Sequence, residues 1–224
     1  TGITGSGKTT TLASMINCRN QRDACRIVTV EDPVEYVIED DRAFVTQREL
    51  GDDTTSFAAA VKQALRQDPD VILVSEMRDI ETIGAALTAA ETGHLVLSTL
   101  HTAGAALAVD RIIDAFPPHR QQQVRIQLAE SLVGVLSQTL LPRADGAGRV
   151  PAVEVLVATT AVRNLVREGK SHQIPGVIET GQRMGMQTMD QALTDLYRRR
   201  LVTLEEVMSR AVNPEHMRLL LRGS

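Results

Sequence analysis

The first eleven residues, Thr1-Gly-Ile-Thr-Gly-Ser-Gly-Lys-Thr-Thr-Thr11, contain Gly2-x-x-x-x-Gly7-Lys8-Thr9, the pattern of a phosphate-binding loop. Phosphate oxygens need several donors converging on them, and backbone N–H groups are the densest source. Glycines at 2, 5 and 7 allow backbone angles that a β-carbon forbids, so that the N–H groups can turn inward. Lys8 adds a mobile positive charge. Thr9 offers a hydroxyl to a magnesium ion, and the helix that starts here presents its positive end to the ligand. Thr4, Gly5, Ser6, Gly7, Lys8, Thr9 and Thr10 are therefore the candidate nucleotide contacts. Such a loop ordinarily follows a buried strand that anchors it. Nothing precedes Thr1 and there is no initiator Met, so the chain is expected to be a fragment cut at the motif, its loop lacking that strand.

At 224 residues the chain can bury one sizeable core with a small appended unit. Its net charge of −4 argues against a general nucleic-acid binder, and 2% aromatics with no Trp argues against base-stacking platforms. Cys18 and Cys25 show no metal-ligand spacing with any histidine, and a reduced, cytosolic setting is the default reading. No apolar run reaches the length of a membrane span, so any work at a membrane is expected to go through a docked partner.

Strand and helix signals alternate along the first two thirds. Residues 9–17 read as the helix after the loop. Arg26–Val30 reads as a strand delivering Glu31-Asp-Pro-Val-Glu35 at its carboxyl end, where α/β sheets place ligand chemistry. Residues 36–55 look irregular, with a possible short strand at 43–45. Ser56 caps a helix with Phe57, Val61 and Leu65 on one face, stopped by Asp68-Pro69. Val71–Val74 is continuously apolar, as in a strand covered on both faces. Asp79 caps a helix over 80–91, His94–Thr99 is the next buried strand, and a helix runs to Phe116. A long amphipathic helix is predicted from Pro118 through Leu140, stopped by Pro142, and then a strand over 150–157. Beyond Thr159 the alternation ceases, and helices are predicted at 160–168, 174–180, 188–199, 203–210 and 214–221.

Phosphoryl transfer to water needs a metal, a charge clamp and a group that positions the attacking water. Glu76, at the end of a buried strand, is the first candidate for the last role. Ser75 stands before it, where an Asp would assist the metal. The cluster at Glu31, Asp32 and Glu35 either supplies that assistance or is a solvated loop. His101 sits at the carboxyl end of its strand and can donate an N–H to a terminal phosphate. His94 begins the same strand and points to the opposite edge or to a subunit boundary. Arg78 and Arg48 are candidate charge clamps, although a partly exposed arginine is ordinarily just solvated.

Four segments fall in order: 2–11, Val30–Glu35, Asp68–Asp79 and Ala90–Thr102. Together they resemble the Walker A, Asp-box, Walker B and His-box segments of the type II/IV secretion ATPase superfamily. The resemblance implies that Glu76 is the Walker B glutamate, Glu31 the Asp-box glutamate, and His94 and His101 the His-box pair, with His94 a further nucleotide contact and His101 and Arg78 catalytic beside the two glutamates. Ala161-Val-Arg-Asn-Leu-Val-Arg-Glu168 is similar to a motif of the pilus retraction ATPases within that superfamily, and Gly185–Asp190 resembles their C-terminal region. No Cys-x-x-Cys pair occurs, so the metal-binding insert of many assembly ATPases is missing. Ser75 and Ser98 stand where retraction motors commonly carry Gly, and Ser98 is also seen in assembly and secretion relatives.

The expected architecture is a RecA-like P-loop NTPase core of α/β class over 1–158, incomplete at its N-terminal edge. A helical C-terminal region with the retraction-type motif follows over 159–224, and the family's N-terminal domain is absent from the chain. The resemblance implies an ATPase using ATP and Mg²⁺, with Thr9, Glu31 and Glu76 near the metal, partly through water. It implies a homohexamer when full length, working on an inner-membrane pilus platform protein from the cytoplasmic face, to power pilus retraction. The rival expectations are an assembly or secretion ATPase, or a non-hydrolysing nucleotide-binding paralogue.

Overall fold

The computed structural model describes residues 1–222. The chain divides into two compact units, one of Lys8–Leu100 with Ile112–Ser131 and one of Thr1–Gly7 with His101–Arg111 and Leu132–Ser224. The boundary expected between 158 and 159 falls inside the second of these.

In the first unit the phosphate-loop lysine opens α1 (Lys8–Arg22), followed by β1 (Arg26–Glu31), β2 (Phe44–Glu49), α2 (Phe57–Ala64), β3 (Val71–Val74), α3 (Ile80–Glu91) and β4 (Leu95–Ser98). All pairings are parallel, in the order β2-β1-β3-β4. Alternation along the strands splits their side chains between two faces. Val28, Ile72 and Val74 pack on Ala58, Val61 and Ala64 of α2 and on Ala85 and Ala89 of α3. Ile27, Val71 and Leu73 face the other way, onto Ile16 of α1. Helices thus cover both faces, which is why β3 is buried at all four positions. In this register Val30, Val74 and Ser98 lie side by side, so the residues following each strand emerge along one edge.

The caps form where the sequence places them. Ser56 Oγ accepts the Ala59 N–H at 3.1 Å, and Asp79 accepts both the Thr82 N–H, at 2.8 Å, and its hydroxyl, at 2.7 Å. The stretch 36–55, predicted to be irregular apart from a short strand at 43–45, contains a full edge strand. Its Thr-Gln-Arg-Glu sequence lacks an apolar alternation, and pairing with β1 over six residues creates β2.

A larger departure follows α4 (Ala105–Asp114). The predicted helix from 118 to 140 is instead α5 (Pro118–Ser131) and then a strand, β5 (Gly134–Pro142). The heptad-like apolar spacing carries on past Ser131, but Gly134 is a weak helix residue, and β6 (Arg149–Val157) offers nine paired partners. A β-carbon on Gly134 would lie 2.8 Å from Leu156 O, so close pairing of this hairpin requires glycine there.

The remaining helices of the second unit are α6 (Thr160–Arg167), α7 (Ile174–Thr180), α8 (Met189–Arg198), α9 (Leu204–Arg210) and α10 (Pro214–Arg222), matching the five predicted. Leu141 and Ala152 of the hairpin pack on Met189, Leu193 and Leu196 of α8, together with Val207 and Met217. Buried Asp190 accepts the backbone N–H groups of Val212, at 2.8 Å, and Asn213, at 3.1 Å, and so fixes the turn into α10. Among the described residues no helix is long and apolar enough to cross a membrane.

Candidate nucleotide site

The loop Thr1–Gly7 is rooted on β5. Thr1 N donates to Leu136 O at 2.5 Å, and Gln138 N donates to Thr1 O at 2.9 Å. Thr1 is thus hydrogen-bonded to a strand more than 130 positions away in the sequence. The Thr1 hydroxyl bonds to Thr102 Oγ1 at 2.7 Å and accepts the Thr102 N–H at 3.0 Å, which ties the root of the loop to the residue after exposed His101. Glu154 of β6 accepts the Ala105 N–H at 2.7 Å and steadies the far end of that segment.

Two glycines of the loop are sterically required. Gly2 has φ 147° and Gly7 φ 87°, the region that favours glycine. A β-carbon on Gly2 would collide with Gln138 O and Ser6 Oγ, and one on Gly7 would lie 2.8 Å from Gln138 Nε2. Ser6 is buried at 2% exposure and its hydroxyl has no hydrogen-bond partner. A buried, unsatisfied donor inside a glycine cradle fits an anionic ligand with many acceptor oxygens. Thr4 and Gly5 stand exposed at the crest of the loop.

In the first unit, Lys8, Glu76 and Arg78 come together. Burial pushes the Lys8 ammonium below its ordinary value of 10.5, and the negative charge of Glu76 partly restores it. Arg78 Nη2 lies 2.7 Å from Glu76 Oε2, with the arginine 70% exposed and the glutamate 17%. The turn carrying Glu76 is held by two bonds to Thr99, whose hydroxyl donates to Ser75 O at 2.6 Å and whose carbonyl accepts the Met77 N–H at 3.1 Å.

A second convergence surrounds a cavity of about 20 Å³ lined in part by Thr9, Thr29, Glu31, Tyr36 and Ser75, room for one water molecule. Glu31 is buried and accepts the Thr29 hydroxyl at 2.7 Å and Gln47 Nε2 at 3.0 Å. Thr9 Oγ1 lies 3.4 Å from Glu35 Oε1, and Thr10 Oγ1 lies 3.1 Å from Tyr36 Oη. Among the described residues no group of three or more His, Cys, Asp or Glu side chains is arranged to hold a metal ion alone. A hydroxyl and a carboxylate beside a water-sized space do fit Mg²⁺, which keeps several waters and shares its remaining positions with phosphate.

His94 does not join these residues. It sits at the amino-terminal end of β4, where its Nδ1 lies 2.9 Å from Ala89 O and 3.1 Å from the Thr92 hydroxyl. Arg48 lies 3.4 Å from Gln63 Oε1, on β2. One contributor was not visible in the sequence: Gln138 lies in a segment whose periodicity reads as helix. Glu35, already a candidate in the 31–35 cluster, approaches Thr9 because the 32–36 turn folds back toward α1.

A glycine-rich loop ahead of a helix and carboxylates along one edge of a parallel sheet define a P-loop nucleotide-binding protein, and its core is RecA-like. The chain belongs to the Type II/IV secretion system protein family, whose sequence profile matches residues 1–209. It is 57% identical over 217 residues to a twitching motility protein of Neisseria gonorrhoeae, covering 97% of this chain and 58% of that protein. It is 50% identical over 216 residues to the type IV pilus retractation ATPase PilT of Pseudomonas aeruginosa, covering 96% of this chain and 62% of that one. A crystal structure of the pilus retraction motor PilT with bound ADP superposes with a TM-score of 0.89 at 51% identity, over 96% of this chain and 61% of that one. The chain thus spans about three fifths of the length of these relatives.

Proposed function

We propose that this chain forms the nucleotide-hydrolysing core of an ATP-driven motor for type IV pilus retraction. The observation that carries the reading is the grouping of Lys8 with Glu76 at the edge of the parallel sheet, within one compact unit. The loop amides of Thr4–Gly7 and the Lys8 ammonium bind the phosphates of ATP, and Thr10 begins the helix that backs them. Thr9 and Glu31 would hold Mg²⁺, Glu31 and Glu76 acting partly through water. The ion, when bound, supplies positive charge to the phosphate oxygens.

Glu76 orients the attacking water and accepts its proton, while Arg78 holds the Glu76 carboxylate between turnovers. His101 donates an N–H toward the terminal phosphate, and His94, at the opposite edge, takes no part at the phosphates of its own copy. Retraction is supported by the names of the relatives and by the 161–168 segment. The proposed assembly is a homohexamer on the cytoplasmic face of the inner membrane, docked on the pilus platform protein and contacting no nucleic acid.

The test is ATP binding, ATP turnover and pilus retraction in the protein carrying Lys8→Ala or Glu76→Gln. Lys8→Ala is expected to lose binding, turnover and retraction. Glu76→Gln is expected to keep ATP affinity and lose about 100-fold or more in turnover, the usual scale for a lost general base. Wild-type turnover in Lys8→Ala would overturn the phosphate-loop assignment. Normal retraction with turnover abolished would overturn the motor.

A further inference from the structure

One residue outside the sequence motifs grips the phosphate loop at both ends. The Gln138 backbone N–H bonds to Thr1 O at 2.9 Å, and its side-chain Nε2 bonds to Ser6 O at 2.7 Å. Its carbonyl oxygen lies against Gly2 and its Nε2 against Gly7, closely enough that a β-carbon at either glycine would collide. Gln138 is half-buried on β5, and the Ser6 side chain is buried beside it. Only the amide's donor nitrogen suits this place, because Ser6 O is an acceptor.

The peptide plane between Ser6 and Gly7 gives the contact a chemical consequence. In a trans peptide the C=O and the following N–H point in opposite directions, and rotation about the bond is blocked. Holding Ser6 O on Gln138 Nε2 therefore aims the Gly7 N–H away from β5. Without the anchor this plane has two glycine-permitted orientations, since Gly7 tolerates both signs of φ, and one of them presents a carbonyl where a phosphate needs a donor.

We propose that Gln138 is a positioning residue of the phosphate loop, its side-chain amide orienting the Ser6–Gly7 peptide so that the Gly7 N–H is available to a nucleotide phosphate. The proposal rests on the nucleotide reading above. It adds a residue more than 130 positions from the motif, on a strand, that sets loop geometry without touching the ligand. Loss of the amide should weaken phosphate binding in the ground state and leave the chemistry of the bound state largely intact. KM should therefore rise more than kcat falls.

The test compares wild type with Gln138→Met, which keeps the length and removes the donor, and with Gln138→Glu, which sets a carboxylate against Ser6 O. Gln187→Met is the control, because Gln187 Nε2 makes an equally short bond, 2.7 Å to Val153 O on β6, with no loop contact. The readouts are the calorimetric Kd for ADP, amide hydrogen exchange of residues 2–8 without nucleotide, and melting temperature without nucleotide. Gln138→Met is expected to raise Kd about three- to tenfold, the scale of one hydrogen bond, and to speed exchange across the loop. Gln138→Glu should do more, and Gln187→Met should lower the melting temperature comparably with Kd and loop exchange unchanged.

Wild-type Kd and wild-type loop exchange in folded Gln138→Met would overturn the proposal. If that variant does not fold, Gln138→Asn, whose amide is withdrawn by one methylene, is read the same way. Absence of ADP binding by wild type itself would overturn the nucleotide reading instead, and the exchange measurement, made without nucleotide, would still decide whether Gln138 orders the loop.

Discussion

Lys8 carries opposing demands at the scale of a single residue. Burial lowers its pKa below 10.5 and Glu76 raises it again, while a phosphate ligand needs the ammonium charged. A lysine whose folded pKa lies below its unfolded one penalises the fold while charged, so folding stability rises as pH climbs through the folded value toward 10.5. Ligand binding runs the other way. ADP affinity should fall as pH is raised from neutrality toward 10.5, with calorimetric titration at successive pH values as the measurement. Glu76→Gln removes the charge that supports the ammonium, so the fall should begin at lower pH in that variant. A pH-independent affinity in both proteins would show that Lys8 does not carry the phosphate charge. The identity of Lys8, Thr9, Glu31 and Glu76 as candidates was legible in the sequence, because each lies within or directly after a recognisable run. The ion pair of Glu76 with exposed Arg78 and the approach of Glu35 to Thr9 were not, since both depend on how short turns fold back.

Elements show where local pattern and tertiary pairing disagree. The segment 132–140 carries apolar residues that suit a helix face, yet it pairs with β6. Gly134→Ala should expose the constraint, because the added carbon would lie 2.8 Å from the backbone oxygen of Leu156 and neither strand can yield cheaply. A loss of about 1–3 kcal/mol in urea unfolding is expected, the ordinary cost of overpacking. Helix α6, by contrast, follows its sequence. Thr159 caps it and Val162 and Val166 are buried at 0% and 1% exposure, while Asn164 and Arg167 are exposed and bonded to each other at 2.9 Å. Burial divides the retraction-type segment into two roles. Val166→Ala should cost about 2 kcal/mol of stability through a core cavity. Asn164→Ala with Arg167→Ala should leave melting temperature and ATP turnover near wild type while impairing pilus retraction. Twitching assays beside turnover and melting curves would decide, and normal twitching in the double variant would leave the exposed face without a motor role.

On the whole-molecule scale, a ligand that binds only the folded chain raises its stability by mass action. ADP at about 100 times its Kd should contribute about 2.7 kcal/mol, a rise of about 5–10 °C for a chain of this length. Lys8→Ala should show no such rise, and an equal shift in both proteins would place ADP somewhere other than the phosphate loop. The sequence by itself determined the α/β class, three of the four strands of the parallel sheet, the caps at Ser56 and Asp79, the five C-terminal helices and the phosphate loop. Those features are written in neighbouring residues: a hydrophobic period, a capping side chain, a glycine spacing. Only the tertiary structure decided that the strand expected at 43–45 runs on through polar 46–49 as a sheet edge, that 134–142 is half of a hairpin, and that Gln138 and Thr102 anchor a loop at the far end of the chain. A strand's hydrogen bonds go to a partner rather than along its own segment, so its existence depends on which surface it meets, and a loop's anchor need have no sequence relation to the loop it holds.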